Sequence, residues 1–311
     1  MNPPPALPLR LGTRGSPLAL AQAELTKAAL IAAHGLDPAD ILIVPVKTTG
    51  DKVQDRPLAE IGGKALWTKE LDRALAAGDI DFAVHSMKDV ETIRPAEIAI
   101  AAILPRADVR DRLIGAQGVE DLSEGARIGT SSPRRAAQML ALRPDCRIKT
   151  LRGNVATRLA AVETGAVDAT LLAAAGLDRL GHGEIGAAIA TETLLPAAQQ
   201  GAIGIETLAE RAEIRALLGA LDDQASALCV AAERAFLFAL GADCHSPVAA
   251  LAEIADGVMT VRAQILTPDG SDAVARAASA QAGDDPEKIA QDLAVTLYEG
   301  ASPALRALFA W

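Results

Sequence analysis

The sequence predicts an α/β protein: two βαβ lobes with a cleft between them, followed by a small C-terminal α+β domain. Three observations carry this. Two segments repeat one order of elements, a stretch near residues 103–125 breaks the pattern between them, and the periodicity changes again from Asp222. Strands alternating with helices at this spacing predict parallel pairing with helices on the sheet faces.

The first copy opens with a strand at 9–13, followed by Ser16-Pro17 and an apolar run at 18–30. It continues with a strand at 41–47, a helical stretch at 67–77 and Gly78-Asp79-Ile80-Asp81 leading into a strand at 82–84. The second copy opens at 127–130, then has Ser132-Pro133 and a run at 134–142. A strand at 146–151, a helix at 155–164 and Gly165-Ala166-Val167-Asp168 leading into 169–172 complete it. In both copies Ser stands where a helix should begin, with Pro at the first helical position, where the missing N–H costs nothing.

Between the copies Pro105, Gly115, Gly118 and clustered charges interrupt periodicity, and a second crossing is expected near 196–204. From Asp222 the sequence reads as a long helix to about 240, strands at 248–254 and 258–267, a Pro268-Asp269-Gly270 turn, a strand near Val274 and a closing helix at 286–298. The expected domains are 1–104 with about 200–221, 105–199, and 222–311.

A chain of 311 residues, half of them apolar, has material for two or three cores, which excludes disorder as its main state. No run approaches the roughly 20 uncharged apolar residues of a membrane span. The Pro-rich residues 1–10 do not read as a secretory signal, so a cytoplasmic location is expected. Three cysteines, Cys146, Cys229 and Cys244, make no disulfide framework. The net charge of −10 argues against broad binding to nucleic acid or a membrane surface.

One window runs against that charge. Residues 127–158 hold eight basic side chains and one acid, Asp145. Ser132-Pro133-Arg134-Arg135 sets two guanidiniums on the first turn of a helix, where the macrodipole disfavours cations and favours an anionic ligand. Arg143 and Arg147 flank a turn and fit a solvated face. Arg152 and Arg158 leave a strand and enter a helix, the sheet edge at which α/β proteins place ligands, and Arg14 ends the matching strand of the first copy.

Val84-His85-Ser86-Met87-Lys88-Asp89 also lies at the carboxyl end of a strand, and Asp89 is a candidate acid or stabiliser of a developing cation. A surface ion pair between Lys88 and Asp89 is the competing reading. His85 reads as a packed or capping residue, and the scattered histidines offer no zinc spacing. Gly181-His182-Gly183-Glu184-Ile185-Gly186 matches the dinucleotide fingerprint in letters only, since it follows a helix-like segment and reads as a loop. Cys146 and Cys229 read as packing residues, whereas Cys244 sits on a Gly/Pro-bounded loop, where functional residues concentrate.

Six stretches in order resemble the porphobilinogen deaminase (hydroxymethylbilane synthase) family. They begin with Gly12-Thr13-Arg14-Gly15-Ser16-Pro17, Gly62-Gly63-Lys64-Ala65-Leu66-Trp67, Val84-His85-Ser86-Met87-Lys88-Asp89, Gly129-Thr130-Ser131-Ser132-Pro133-Arg134-Arg135, Leu151-Arg152-Gly153-Asn154 and Leu195-Pro196-Ala197-Ala198-Gln199-Gln200-Gly201. The resemblance implies two periplasmic-binding-protein-like lobes with a smaller third domain. It implies a transferase that condenses four porphobilinogen molecules, losing ammonia each time, and releases the linear tetrapyrrole hydroxymethylbilane. It further implies a dipyrromethane cofactor on a thioether at Cys244 and Asp89 as the catalytic carboxylate.

By the same resemblance Lys88, Asp89, Ser132, Arg134, Arg135 and Arg158 hold the cofactor, while Arg14, Ser16, Lys64, Arg152 and Arg158 hold substrate. Lys64 belongs to a loop at 48–64 expected to cover the cleft. The implied protein is a monomer with no obligate protein partner, no nucleic acid and no membrane. Pro133, Trp67 and Glu91 depart from the family pattern, Glu91 standing where Pro is common. Asp243-Cys244-His245-Ser246-Pro247 is a variant of the usual cysteine loop. Without the resemblance the residues also fit a two-lobed anion sensor. A nucleic-acid reading fails on seven aromatic residues in the whole chain.

Overall fold

The computed structural model describes residues 5–47, 68–243, 245–281 and 283–309. They form two compact units: Met1–Ala107 with Ala202–Ala227, and Asp108–Gly201 with Leu228–Trp311. The class is α/β, with two sheet-and-helix bodies and a small C-terminal sheet packed by helices.

In the first unit β1 (Leu9–Arg14) leads into α1 (Pro17–His34), then β2 (Ile41–Val46), α2 (Lys69–Ala76), β3 (Phe82–Ser86) and β4 (Ile98–Ile103). α1 starts where its sequence says it should. Ser16 is extended at φ −74°, its hydroxyl accepts from the Ala19 amide, and Pro17 follows. It ends at Gly35, whose φ of 64° places it in the left-handed region that a side chain would disfavour. Ala19, Ala23, Thr26 and Leu30 are buried at helical spacing. Leu9, Leu11, Phe82 and Val84 meet this face from the sheet. Each fully buried Leu contributes roughly 1.5–3 kcal/mol.

β1 pairs in parallel with β2 and β3, as the βαβ pattern predicts. The sheet is nevertheless mixed. After the second unit's elements the chain returns as β10 (Ile203–Leu208), which enters between β3 and β4 and runs antiparallel to both.

The second unit repeats this plan with β5 (Asp111–Ile114), β6 (Arg127–Gly129), α3 (Pro133–Leu142), β7 (Arg147–Lys149), α4 (Val155–Glu163), β8 (Ala169–Ala173), α5 (Ala174–Arg179) and β9 (Ala187–Ala188). Its order, β7-β6-β8-β5-β9, mirrors the first sheet, β2-β1-β3-β10-β4. β6 is parallel to β7 and β8, and β5 is the antiparallel insertion. In each sheet the three strands of the βαβαβ unit follow the parallel expectation, and the fourth strand comes from chain outside that unit.

After β10 come α6 (Ala212–Gly219) and α7 (Gln224–Leu240). The antiparallel meander of β11 (Val248–Ala255), β12 (Val258–Leu266) and β13 (Ala273–Gln281) follows, with α8 (Pro286–Glu299) and α9 (Pro303–Arg306). Phe236, Val261, Ile265, Leu293 and Leu297 fill the core of this module. Cys229 is buried there, and Cys146 is buried in the core under β6. Residues 181–186 form a turn-rich loop after α5, not the opening of a βα unit.

Candidate active site

In the first unit the ends of β1 and β3 open onto a pocket lined by Arg14, Ser16, Gln22, His85, Ser86 and Asp89. These are the carboxyl ends of parallel strands, where side chains converge and backbone groups are unspent. Arg14 is the last residue of β1 and Ser16 caps α1 two residues later. Gln22, on the buried face of α1, donates to the Ser86 hydroxyl at 2.8 Å and accepts from it at 3.1 Å, fixing the end of β3. Asp89 closes a 3-10 turn, Met87–Asp89, that begins directly after β3 and also carries Lys88.

That turn is seated by its neighbours. The Met87 amide donates to the Ala202 carbonyl at 3.1 Å, and the Met87 side chain is fully buried. It lies over Gly204 of β10, where any Cβ would overlap the Met87 sulfur. A glycine at 204 therefore sets the height of the turn that presents Asp89.

Behind β3 lies a buried charged cluster. Glu206 is fully buried on β10, and its Oε2 is 3.2 Å from His85 Nε2. Arg94 donates to both oxygens of Glu206 at 2.9 Å, to Glu91 at 2.9 Å and to Asp72 at 2.5 Å. Thr68 donates to Glu91 at 2.8 Å. Burial alone would raise the Glu206 pKa, but His85 and Arg94 outweigh it and hold the carboxyl at about 2. Asp72 is shifted upward, chiefly by burial, with Glu206 adding to it and Arg94 opposing. His85 is thus a packed residue with an acidic partner, as its isolation from other ligand-type residues suggests.

In the second unit Ser132 caps α3, accepting from the Arg135 amide at 3.4 Å. Arg134 and Arg135 do not project from the first turn. Both are buried, and both reach Asp111, at 2.7 and 2.6 Å. Asp111 is fully buried at the start of β5; burial opposes its charge, but the two guanidiniums hold it well below the usual carboxylate range. Arg158, on α4, donates to the Gly153 carbonyl at 3.1 Å and reaches the Ser131 hydroxyl at 3.5 Å. Arg152 is half-buried in the loop entering α4. Ser131, Ser132 and Arg158 therefore gather at the carboxyl ends of β6 and β7. Arg14, Ser16 and Asp89 gather in the first unit's pocket. Lys64, the 48–64 loop and Cys244 lie outside the described residues.

Several polar groups that the structure places beside these residues or buries nearby carry no mark in the sequence. Gln22 reads as any helix residue, and Asp111 lies in the charged stretch between the two copies. Arg179, half-buried with its guanidinium on the Gly201 carbonyl at 2.7 Å, fell beyond the basic window. Burial lowers its pKa and Asp178 opposes the shift. Gln200, in a quoted motif, donates to Asp111 at 3.0 Å. Among the described residues no group of three or more His, Cys, Asp or Glu could hold a metal ion. No helix among them is long and apolar enough to cross a membrane.

The family model described as porphobilinogen deaminase, dipyromethane cofactor binding domain, matches residues 9–216, and the one described as porphobilinogen deaminase, C-terminal domain, matches 227–299. The chain belongs to the porphobilinogen deaminase family. A porphobilinogen deaminase of Sphingopyxis alaskensis is 58% identical over 313 residues, covering 98% of each chain. One of Paracoccus denitrificans is 49% identical over 305 residues, covering 97% of each. Among solved structures, a TRAP periplasmic solute binding protein from Desulfovibrio salexigens has a TM-score of 0.42 at 12% identity, covering 69% of this chain and 72% of that one.

Membership in the porphobilinogen deaminases brings a dipyrromethane cofactor, and the chemistry of the donor set tests the fit. Dipyrromethane carries acetate and propionate groups. The second unit holds two buried guanidiniums on a single buried carboxylate, and the Nε groups of Arg134 and Arg135 are buried with no hydrogen-bond partner among the described residues. A surplus positive charge with unspent donors suits a carboxylate-bearing group.

Proposed function

We propose that this chain condenses four porphobilinogen molecules head to tail on a dipyrromethane primer joined by a thioether to Cys244, and releases hydroxymethylbilane by hydrolysis. The observation that carries this reading is Asp89, set on a seated turn in a pocket shared with Arg14 and Ser16, in a chain matched by both family models in order.

In each cycle the C–N bond of the aminomethyl group breaks and ammonia leaves, giving an electron-poor azafulvene. A C–C bond then forms to the acceptor pyrrole, whose ring carbon gives up a proton. The Asp89 carboxylate faces the developing positive charge and takes part in these proton transfers. Arg14, Arg152 and Arg158 bind substrate carboxylates, with Ser16 and Lys64 beside them. Lys88, Ser132, Arg134, Arg135 and Arg158 hold the cofactor's carboxylates. When bound, dipyrromethane supplies the nucleophilic pyrrole carbon from which the chain grows.

The domains 1–104 with about 200–221, 105–199 and 222–311, the last carrying Cys244, belong to this proposal. So do a cytoplasmic location and a monomer working on a small molecule without an obligate protein partner. Intact mass of the purified protein with a peptide map around Cys244 tests it. A two-pyrrole adduct on Cys244, absent from Cys244→Ala, is expected. A parent that stays unmodified after porphobilinogen is added, and binds it reversibly, would make the chain an anion-binding module instead.

A further inference from the structure

Asp111 spends both of its oxygens on cations and an amide. Oδ2 accepts from Arg134 at 2.7 Å, and Oδ1 accepts from Arg135 at 2.6 Å and from the Gln200 side chain at 3.0 Å. Each guanidinium is pinned a second time. Arg134 donates to the Leu195 carbonyl at 3.1 Å and to Gln138 at 3.1 Å, and Arg135 donates to the Leu171 carbonyl at 2.9 Å. Gln200 is itself anchored to the Val109 carbonyl at 2.7 Å. Two long, rotamer-rich side chains are thereby held in one orientation before any ligand arrives.

The charges do not balance. Among these side chains there are two guanidiniums and one carboxylate, all excluded from solvent, and the Nε of each arginine has no partner among the described residues. A clasp built only to hold α3 against β5 would gain nothing from the second cation, because a buried charge without a counter-charge destabilises the fold. A second carboxylate, supplied by a ligand, completes the set: it neutralises the surplus charge and accepts the unspent N–H groups.

We propose that Asp111 is a positioning residue for the cofactor: it orients Arg134 and Arg135 and leaves them one net positive charge, which receives one carboxylate of dipyrromethane. This rests on the assignment of Arg134 and Arg135 to the cofactor made above. Asp111 acts through the two arginines and does not itself touch the group.

The test is loading. Parent, Asp111→Asn and Arg135→Gln chains are made in a host without porphobilinogen, and the native fraction is isolated by gel filtration. After porphobilinogen is added, the two-pyrrole adduct is weighed by intact mass and the melting temperature is read before and after. The parent should load fully and melt higher when loaded. Arg135→Gln and Asp111→Asn should both load at least about tenfold more slowly, the ratio carried by one charge-assisted hydrogen bond, and gain little in melting temperature.

If Arg135→Gln is impaired but folded Asp111→Asn loads like the parent, Asp111 is structural only and the proposal falls alone. If both load like the parent, the arginine assignment falls with it. Should Asp111→Asn fail to fold, Asp111→Glu keeps the charge on a longer arm: slowed loading supports the positioning role, and parental loading overturns it.

Discussion

Arg94 meets Glu206 through two parallel hydrogen bonds, Nε to Oε1 and Nη2 to Oε2, both 2.9 Å long, with Glu206 fully buried. The same guanidinium binds Glu91 and Asp72, so one cation organises three acids behind the turn that carries Asp89. Glu91 is held by this contact and by its hydrogen bonds from Thr68. Removing the cation leaves a buried carboxylate facing two others. Arg94→Met should cost about 3–5 kcal/mol, read as a lower urea midpoint at unchanged slope. A loss below about 1 kcal/mol, the range of exposed pairs, would show that the cluster is solvated.

Acid stability should carry the mark of Glu206. A carboxyl whose pKa is depressed by folding contributes its full stability above the unfolded value and loses it as pH falls through the folded one. For Glu206 that window runs from about 4.3, the ordinary glutamate value, down to about 2. Asp72, raised chiefly by burial, works in the opposite sense. Unfolding free energy measured from pH 6 to pH 2 should fall more steeply for the parent than for Glu206→Gln. Parallel curves would refute the assignment.

Gly204→Ala should disturb catalysis through Met87. The added methyl displaces the Met87 side chain, a fully buried group at the head of the Asp89 turn. Overpacking of this kind costs about 1–3 kcal/mol, and a turn moved by a fraction of an ångström should lower kcat by roughly tenfold to a hundredfold. Met87→Ala made in the same chain removes the obstacle. The two changes together should cost less stability than the sum of the single ones, a coupling that thermal unfolding of all four chains measures.

Arg158 stands on α4 against the Gly153 carbonyl and the Ser131 hydroxyl, at the carboxyl ends of β6 and β7. Arg158→Ala should fold normally and stall elongation, visible by mass as an accumulated protein-bound oligopyrrole of one length. Unchanged elongation in both Arg158→Ala and Arg152→Ala would contradict their assignment to substrate carboxylates.

What the sequence made legible was local chemistry. Ser16-Pro17 and Ser132-Pro133 fix helix starts through bonds spanning three residues, and both helices begin there. The three parallel strands of each sheet follow from βαβ spacing. β10 was not foreseen as an antiparallel insertion, because its partners β3 and β4 lie about a hundred residues earlier and nothing in Ile203–Leu208 names them. Arg134 and Arg135 stand out in the sequence as a basic pair at a helix start, but their burial does not, since Asp111 reaches them from more than twenty positions away. Asp111 looked like one more charge in a boundary segment, because pairing that permits a buried charge is a property of the fold and not of neighbouring letters.

The insertion of β10 also governs the order in which the molecule can be made. Among the described residues β4 has β10 as its sole neighbour in the sheet, so its edges stay open while a ribosome translates every strand of the second sheet. A nascent chain released before residue 203 carries β4 without a partner strand and β3 with the edge away from β1 open, the kind of edge that recruits another chain. Premature termination in the middle of the message is therefore more hazardous for this protein than its compact units suggest.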